Sequence, residues 1–224
     1  VTFGNHDNEQ DKTRAELYNV VRSVSYNIQP DRGEADSPDY VLALQASDSN
    51  RDAALLYCMD SHSYSRLPDV KGYAWFTFDQ VNWYRSQSAA YTERNGGKPL
   101  PALAFFHIPL PEYREAYKNE KNIHAGIRLE DECPASVNSG MFAAMLESGD
   151  VMGVFVGHDH DNDYIGMLYN VGLAFGRVSG WDAYGDFERG GRIIELREGK
   201  FEFDSWIRTS SGKEYTYYYP SGLT

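Results

Sequence analysis

The pattern of apolar and polar positions divides the chain near residue 164 into two parts of different character. In the first part, segments with apolar residues at helical spacing alternate with short, nearly continuous apolar runs of strand length. Helices are predicted over about 11–24, behind a capping Asp11, over 77–97 and over 136–150. Strands are predicted within 40–47, 52–60, 102–106 and 151–157, the first two as a hairpin or neighbouring pair. This alternation predicts an α/β fold whose sheets are covered on their faces.

The later part of the chain predicts mainly sheet, because its apolar segments are short and are separated by glycine turns. Residues 193–206 fit a hairpin with 197–200 as its turn. The tyrosine-rich stretch 214–220 is compatible with a sugar-binding surface, but its alternation favours an edge strand that packs aromatic rings on one side. No repeat or linker marks a boundary, so we predict a single domain over 1–224.

Two of the helices have a predicted packing face. For 11–24 it comprises Ala15, Leu17, Val20, Val21 and Val24. For 77–97 it comprises Val81, Trp83, Tyr84 and Tyr91. These faces are the positions where each helix would cover a sheet.

Composition and charge narrow the possible partners. The 224 residues include 42% hydrophobic ones, enough for a substantial core. No apolar run of about 18 residues is present, so no membrane segment is predicted. The net charge of −12 argues against nucleic acid as a partner, although bound cations would allow a small phosphate ester. Cys58 and Cys133 fit no metal or redox spacing, and Cys58 is predicted to be a buried structural thiol.

Four histidines follow apolar, strand-like runs. His6 comes after 1–3, His107 after 102–106, and His158 and His160 after 151–157. In α/β sheets, ligands collect outside the carboxyl ends of the strands, where loops converge. Several strand ends would therefore direct imidazoles towards one place, which indicates a metal site or a binding site.

The motifs GNHD at 4–7, the histidine ending LAFFHIP at 107, and GHDH at 157–160 resemble the last three of the five motifs of the calcineurin-like metallophosphoesterases. The segments 132–164 and 181–196 resemble the branch related to purple acid phosphatases. The resemblance implies two mixed β-sheets packed as a sandwich and flanked by helices. It also implies a phosphoesterase that uses two metal ions, Fe, Mn or Zn, on a small phosphate-ester substrate.

The resemblance also implies roles for individual residues. Asn5, His107 and His158 would bind one metal ion, and His160 would bind the other. His6, oriented by Asp7, would act beside the ions as a cation or proton donor. A metal-activated hydroxide would attack the phosphorus in line, and no enzyme nucleophile would be needed.

The family's first two motifs have no counterpart before GNHD in this sequence, so we expect an N-terminally truncated chain with impaired activity. Without the bridging carboxylate of those motifs, at most one weakly bound ion is expected. The missing strands would leave a face open, through which the chain would self-associate. The branch is often exported, which suggests a secreted or periplasmic parent.

Several alternatives remain open. The parent is interpreted as a phosphomonoesterase, with a phosphodiesterase acting on nucleotides or lipid head groups as one alternative. Another alternative is a non-catalytic binding protein that retains the fold. Asp60 and His62 are placed near the site or, more simply, at an ordinary strand exit, and His124 on an exposed or substrate-side loop.

Overall fold

The computed structural model describes residues 1–30, 39–118 and 124–222. The helices in this part are α1 (Arg14–Ser23), α2 (Phe78–Arg94), α3 (Tyr113–Lys118) and α4 (Met141–Ser148). The strands are β1 (Tyr40–Gln45), β2 (Asp52–Cys58), β3 (Ala102–Phe105), β4 (His124–Ala125), β5 (Val151–Val156), β6 (Ile165–Leu168), β7 (Val171–Phe175), β8 (Gly190–Leu196), β9 (Phe203–Thr209) and β10 (Lys213–Tyr219). All four of these helices lie before residue 164, and the elements after it in the described ranges are strands. The predicted change from alternating helices and strands to mainly sheet is therefore confirmed.

The larger sheet has the strand order β1-β2-β3-β5-β7-β6-β4. β1 and β2 form the predicted antiparallel hairpin, and β2, β3, β5 and β7 run parallel to one another. β6 pairs antiparallel with β7, and β4 pairs antiparallel with β6. Every residue of β5 is buried, as expected of a parallel strand that is covered on both faces. The carboxyl ends of the four parallel strands therefore lie along one edge of the sheet.

The smaller sheet has the order β10-β9-β8 and packs on one face of the larger sheet. Leu103, Met152 and Phe155 of the larger sheet share a buried cluster with Phe203 and Tyr217 of the smaller one. β8 and β9 form the predicted hairpin, in which Leu196 pairs with Phe203. The predicted sandwich of two sheets is confirmed, but the smaller sheet is antiparallel throughout rather than mixed.

Helices cover the other face of the larger sheet. Tyr84 of α2, Tyr113 of α3 and Met145 of α4 belong to the second buried cluster. Val81, Trp83 and Tyr91 pack against this cluster and are partly buried, so the predicted face of α2 is confirmed. The six-residue helix α3 was not predicted, because it is too short to show helical periodicity.

Helix α1 differs from its prediction at its start and on its packed face. Thr13, not Asp11, caps it: the Thr13 side chain accepts a hydrogen bond from the Glu16 N–H, and Glu16 accepts one from the Thr13 N–H. Tyr18 is the buried residue, whereas Val20 and Val24 are 60% and 59% exposed. The predicted face is therefore wrong in these positions.

The tyrosine-rich end of the chain forms the edge strand β10. Tyr217 is buried in the cluster between the sheets, and Tyr219 packs against the same cluster. The predicted edge strand with aromatic rings on one side is confirmed. None of the helices in the described ranges is both long and apolar enough to span a membrane.

The two cysteines are free thiols. Cys58 is half-buried rather than fully buried, and its burial raises the pKa of its thiol. Cys133 is exposed. The prediction of a buried structural thiol therefore holds only in part.

Candidate metal centre

Two imidazoles meet at the carboxyl edge of the larger sheet. β3 ends at Phe105 and β5 at Val156, and each strand is followed two residues later by a histidine, His107 and His158. The two strands are parallel neighbours, so these histidines lie side by side. His107 Nε2 lies 3.3 Å from His158 Nδ1. Of the four histidines that the sequence predicted to converge, the structure brings these two together.

Asn5 completes this cluster from a segment far away in sequence. Its amide oxygen lies 2.9 Å from His107 Nε2 and 3.0 Å from His158 Nδ1. The Asn5 side chain is fully buried. Asn5, His107 and His158 thus form the donor trio, in which one oxygen and two nitrogens face one another.

Glycines allow the backbone to approach the His107 ring closely. A Cβ atom on Gly4 would lie 3.1 Å from His107 Cε1, and one on Gly157 would lie 3.3 Å from His107 Nδ1. Both spacings are tight, so a side chain at either position would displace the ring. The glycines of the GNHD and GHDH motifs therefore hold the imidazole between two stretches of backbone.

The backbone and one aromatic ring orient His158. Its φ is +76°, in the left-handed region that a residue with a side chain rarely adopts. Such local strain is found at sites where the surrounding structure fixes it. The Tyr73 ring packs edge-on against the His158 imidazole, with centroids 4.3 Å apart and an interplanar angle of 90°.

Burial keeps both imidazoles uncharged near neutral pH. It lowers the pKa of His107 to about 4 and that of His158 to about 3. Burial is the largest cause of these two values, and neighbouring imidazoles and, for His107, Arg14 contribute the rest of the lowering. A neutral imidazole has a lone pair available for a metal ion.

The donor trio fits one metal ion. An ion about 2.1 Å from each donor atom places neighbouring donors about 3.0–3.4 Å apart, and the separations here are 2.9, 3.0 and 3.3 Å. The combination of imidazole and amide donors suits transition metals such as zinc, iron or manganese. The outer nitrogen of His158, Nε2, is buried and has no hydrogen-bond partner among the described residues.

His160 is held by groups outside the trio, although it lies near enough for its charge to act on His107 and His158. Its ring stacks on Tyr184, and its Nδ1 is buried without a hydrogen-bond partner in the described part of the chain. Within residues 1–30, 39–118 and 124–222, no three His, Cys, Asp or Glu side chains are grouped as a metal site. These ranges therefore provide three donors for one ion, and His160 is the candidate ligand of a second.

His6 is exposed and differs from its prediction in its partner. Its Nδ1 lies 2.7 Å from Glu9 Oε2, whereas Asp7 accepts a hydrogen bond from the Gly4 N–H at 2.6 Å. The prediction that Asp7 orients His6 is wrong. The Asp7 carboxylate turns back on its own loop. Glu9, three residues after His6, makes the contact with the imidazole that was expected of Asp7.

Asp60 acts on the site through another side chain. It is buried and forms a 2.9 Å ion pair with Arg14, whose guanidinium also donates to the Gly4 carbonyl at 2.8 Å and to Ser63. Asp60 therefore anchors the segment that carries Asn5. His62 is directed to Gln80, at 2.8 Å, and is not hydrogen-bonded to the trio.

Sequence reasoning missed two tyrosines beside the site. The Tyr64 hydroxyl donates to Glu9 at 3.0 Å and lies 3.5 Å from the Asn5 amide nitrogen, and its ring stacks on Tyr73. Both tyrosines lie between β2 and α2, where no periodicity or motif singles them out. His124 forms part of β4 by its backbone, and its side chain lies outside the described residues.

Comparison with known proteins gives relatives over nearly the whole chain. No family model matches. The chain is 35% identical over 229 residues to the probable inactive purple acid phosphatase 29 of Arabidopsis thaliana, covering 94% of this chain and 58% of that protein. It is 31% identical to the probable inactive purple acid phosphatase 14 of the same plant, covering 91% and 55%. Phosphatase DCR2 of Saccharomyces cerevisiae is 28% identical, covering 100% and 41%.

A solved dimetal phosphatase from Danio rerio matches with a TM-score of 0.49 and 13% identity, over 80% of this chain and 58% of that one. The chain spans less than two thirds of the length of the curated relatives it matches. Two of the curated relatives are named probable inactive purple acid phosphatases, which confirms the resemblance of this chain to that branch.

Proposed function

We propose that this chain supplies one half of the metal site of a metal-dependent phosphomonoesterase. The observation that carries the proposal is the donor trio, in which Asn5 Oδ1, His107 Nε2 and His158 Nδ1 lie within 3.3 Å of one another. The relative from Saccharomyces cerevisiae, which is named a phosphatase, supports the same class of reaction.

Asn5, His107 and His158 would hold one ion, and His160 would contribute to holding a second. The chemistry that such ions supply when bound is neutralisation of the phosphoryl oxygens and acidification of a water molecule. Gly4 and Gly157 keep the His107 ring in place, and Tyr73 keeps the His158 ring in place. These contacts reduce the reorganisation that binding would require.

His6 is the proposed proton donor. Its side chain is 69% exposed, and Glu9 holds its Nδ1, which leaves Nε2 as the nitrogen able to face a substrate. A protonated imidazole in this position would donate from Nε2 to the leaving-group oxygen. Glu9 would fix the orientation of the ring, the role that the sequence assigned to Asp7.

A non-catalytic binding protein is the second candidate. It is favoured by the absence of a group of three His, Cys, Asp or Glu side chains among the described residues, and by the word "inactive" in the names of two relatives. In this case the trio would bind one ion without hydrolysing a substrate.

Metal stoichiometry tests the proposal. We would incubate the chain with manganese, zinc or iron, remove the free ion, and measure the bound metal by elemental analysis. We expect about one ion per chain, lost in His158→Ala, because one of three donors is then removed. His62→Ala removes an imidazole outside the trio and should retain the ion. A chain that binds no ion, or loses it equally in both variants, would contradict the proposal.

A hydrolysis assay on the expected parent protein separates the two candidates. We expect hydrolysis of p-nitrophenyl phosphate that depends on added metal and falls strongly in His6→Gln, which keeps a polar side chain but cannot donate the proton. Bound metal with no hydrolysis would favour the binding protein.

A further inference from the structure

We propose that Tyr184 and Glu130 are positioning residues that fix the orientation of the His160 imidazole. That this orientation serves metal binding rests on the proposed function, whereas the positioning itself can be tested without metal. Tyr184 lies between β7 and β8, Glu130 between β4 and α4, and His160 after β5. Three separate connections therefore meet at this imidazole.

The first contact is a ring stack. The His160 and Tyr184 centroids lie 4.1 Å apart, with an interplanar angle of 20°. A rotation of the imidazole out of this plane would break the stack. The stack is important because His160 Nδ1 has no hydrogen-bond partner among the described residues. Metal-binding histidines are usually oriented by a hydrogen bond to the second ring nitrogen. Here the Tyr184 ring, stacked on the face of the imidazole, orients His160 instead.

The second contact is made by the tyrosine hydroxyl. The His160 backbone N–H donates to Tyr184 Oη at 3.2 Å, and this hydroxyl lies 3.0 Å from each carboxylate oxygen of Glu130. Glu130 Oε1 also accepts the Asp161 N–H at 2.7 Å. One carboxylate thus holds two successive backbone groups, the first through Tyr184 and the second directly. The backbone and the ring of His160 are fixed by the same pair.

The segment that carries Tyr184 is itself braced. The Arg189 guanidinium donates to the carbonyls of Ala183, Gly185 and Phe187. Gly185 has φ +90° and packs so closely against Asp161 that a Cβ atom would overlap its carboxylate. The segment therefore packs closely against Asp161, and Arg189 holds the backbone on both sides of Tyr184.

Tyr184 is unlike a core tyrosine. It is 53% exposed, so its burial contributes less than that of a core ring, while its ring and hydroxyl contact His160 and Glu130. Removing it should therefore change His160 far more than it changes the stability of the chain. This difference separates a positioning role from a merely structural one.

Nuclear magnetic resonance of the metal-free chain tests the positioning. In Tyr184→Leu we expect the His160 ring resonances to move, because the ring current of the stacked tyrosine is lost. We also expect the His160 amide to exchange about tenfold faster, with little change in the melting temperature. Tyr184→Phe keeps the stack and loses the hydroxyl, so it should preserve the ring shifts and accelerate amide exchange. Glu130→Gln should accelerate exchange at His160 and Asp161.

Tyr169 provides the matched control. It is 73% exposed and lies between β6 and β7. Tyr169→Leu should leave the His160 signals unchanged. Unchanged His160 signals in Tyr184→Leu would overturn the proposal, as would equal effects in the two leucine variants.

Calorimetric titration of the expected parent protein with zinc tests whether the positioning of His160 affects metal binding. We expect Tyr184→Leu to weaken zinc binding about tenfold, the lower end of what the loss of a supporting contact costs a metal site. Unchanged affinity, together with shifted His160 resonances, would overturn a link between the stack and metal binding. A wild-type protein that binds no zinc would overturn the proposed function, while the resonance shifts would still support positioning.

Discussion

Asn5 Oδ1 lies 3.0 Å from His158 Nδ1, although 153 residues separate the two in sequence. Asn5 belongs to a segment without helix or strand, whereas His158 follows the central strand β5. The contact forms because Arg14 ties the Gly4 carbonyl to Asp60 at the edge of the sheet. The donor trio is therefore a product of tertiary packing and depends on the exact position of the Gly4 backbone.

Gly4→Ala should weaken metal binding and stability together. Its Cβ would lie 3.1 Å from the His107 ring, so the ring or the backbone has to move. We expect about a tenfold loss of zinc affinity and a loss of about 1–2 kcal/mol in the free energy of unfolding. Calorimetric titration and urea denaturation measure the two effects. Gly191→Ala is the control, since nothing lies within 4 Å of its added Cβ; similar losses in both variants would contradict the prediction.

Gly126→Ala should be among the most destabilising alanine substitutions in the chain. Gly126 has φ +105°, and a Cβ there would lie 2.7 Å from both the Asp163 carbonyl oxygen and Tyr164 Cα. Backbone cannot yield as a flexible side chain can, so we expect a loss of about 3 kcal/mol or more. Gly96→Ala separates the two causes, because it has φ +69° but open space around it, and it should cost about 1 kcal/mol. Urea denaturation of both variants measures the two losses in the free energy of unfolding and tests whether Gly126→Ala costs more.

Tyr84→Phe should destabilise the helical side of the core. The buried Asp150 carboxylate accepts hydrogen bonds from Tyr57 at 2.7 Å and from Tyr84 at 2.5 Å. Removing one hydroxyl leaves a buried carboxylate short of a donor, at a cost of about 1–3 kcal/mol. Thermal and chemical denaturation measure the loss. Tyr26→Phe, at a fully exposed tyrosine, should cost almost nothing, and a comparable loss there would argue against this explanation.

Glu132→Gln should reduce the sensitivity of the fold to acid. Burial raises the pKa of Glu132, but hydrogen bonds from Arg128, from its own backbone and from Tyr164 outweigh it, so the pKa lies below its ordinary value of 4.5. A lowered carboxyl pKa contributes stability that is present above the ordinary value and is lost as the pH falls through the folded-state value. Urea denaturation should show wild type losing more stability than the variant below about pH 4.5. Parallel pH curves for the two proteins would refute this assignment.

The general position of the site was predictable, because continuous apolar runs identify parallel strands and histidines follow two of them. His107 and His158 lie side by side for that reason. The partner of His6 was not predictable, because Asp7 and Glu9 are both close in sequence, and the conformation of the turn decides which carboxylate reaches the imidazole.

Contacts between connecting segments also could not be predicted from the sequence. Tyr73 and Tyr184 reach the histidines from connections whose path depends on the whole fold. For α1, two capping residues were available, and Thr13 forms the cap because Glu16 can return the hydrogen bond. The valines of this helix satisfied a helical pattern, but periodicity shows which residues share a face and not whether that face is covered.

The donor trio consists of an amide and two imidazoles whose pKa values lie well below neutrality, so it brings no formal charge to the edge of the sheet. An ion held there keeps its whole charge, since no carboxylate in the trio offsets it. In a chain with a net charge of −12, such an ion would place positive charge where the proposed phosphate group binds. Affinity for an anion at this edge would thereby be conditional on the bound ion.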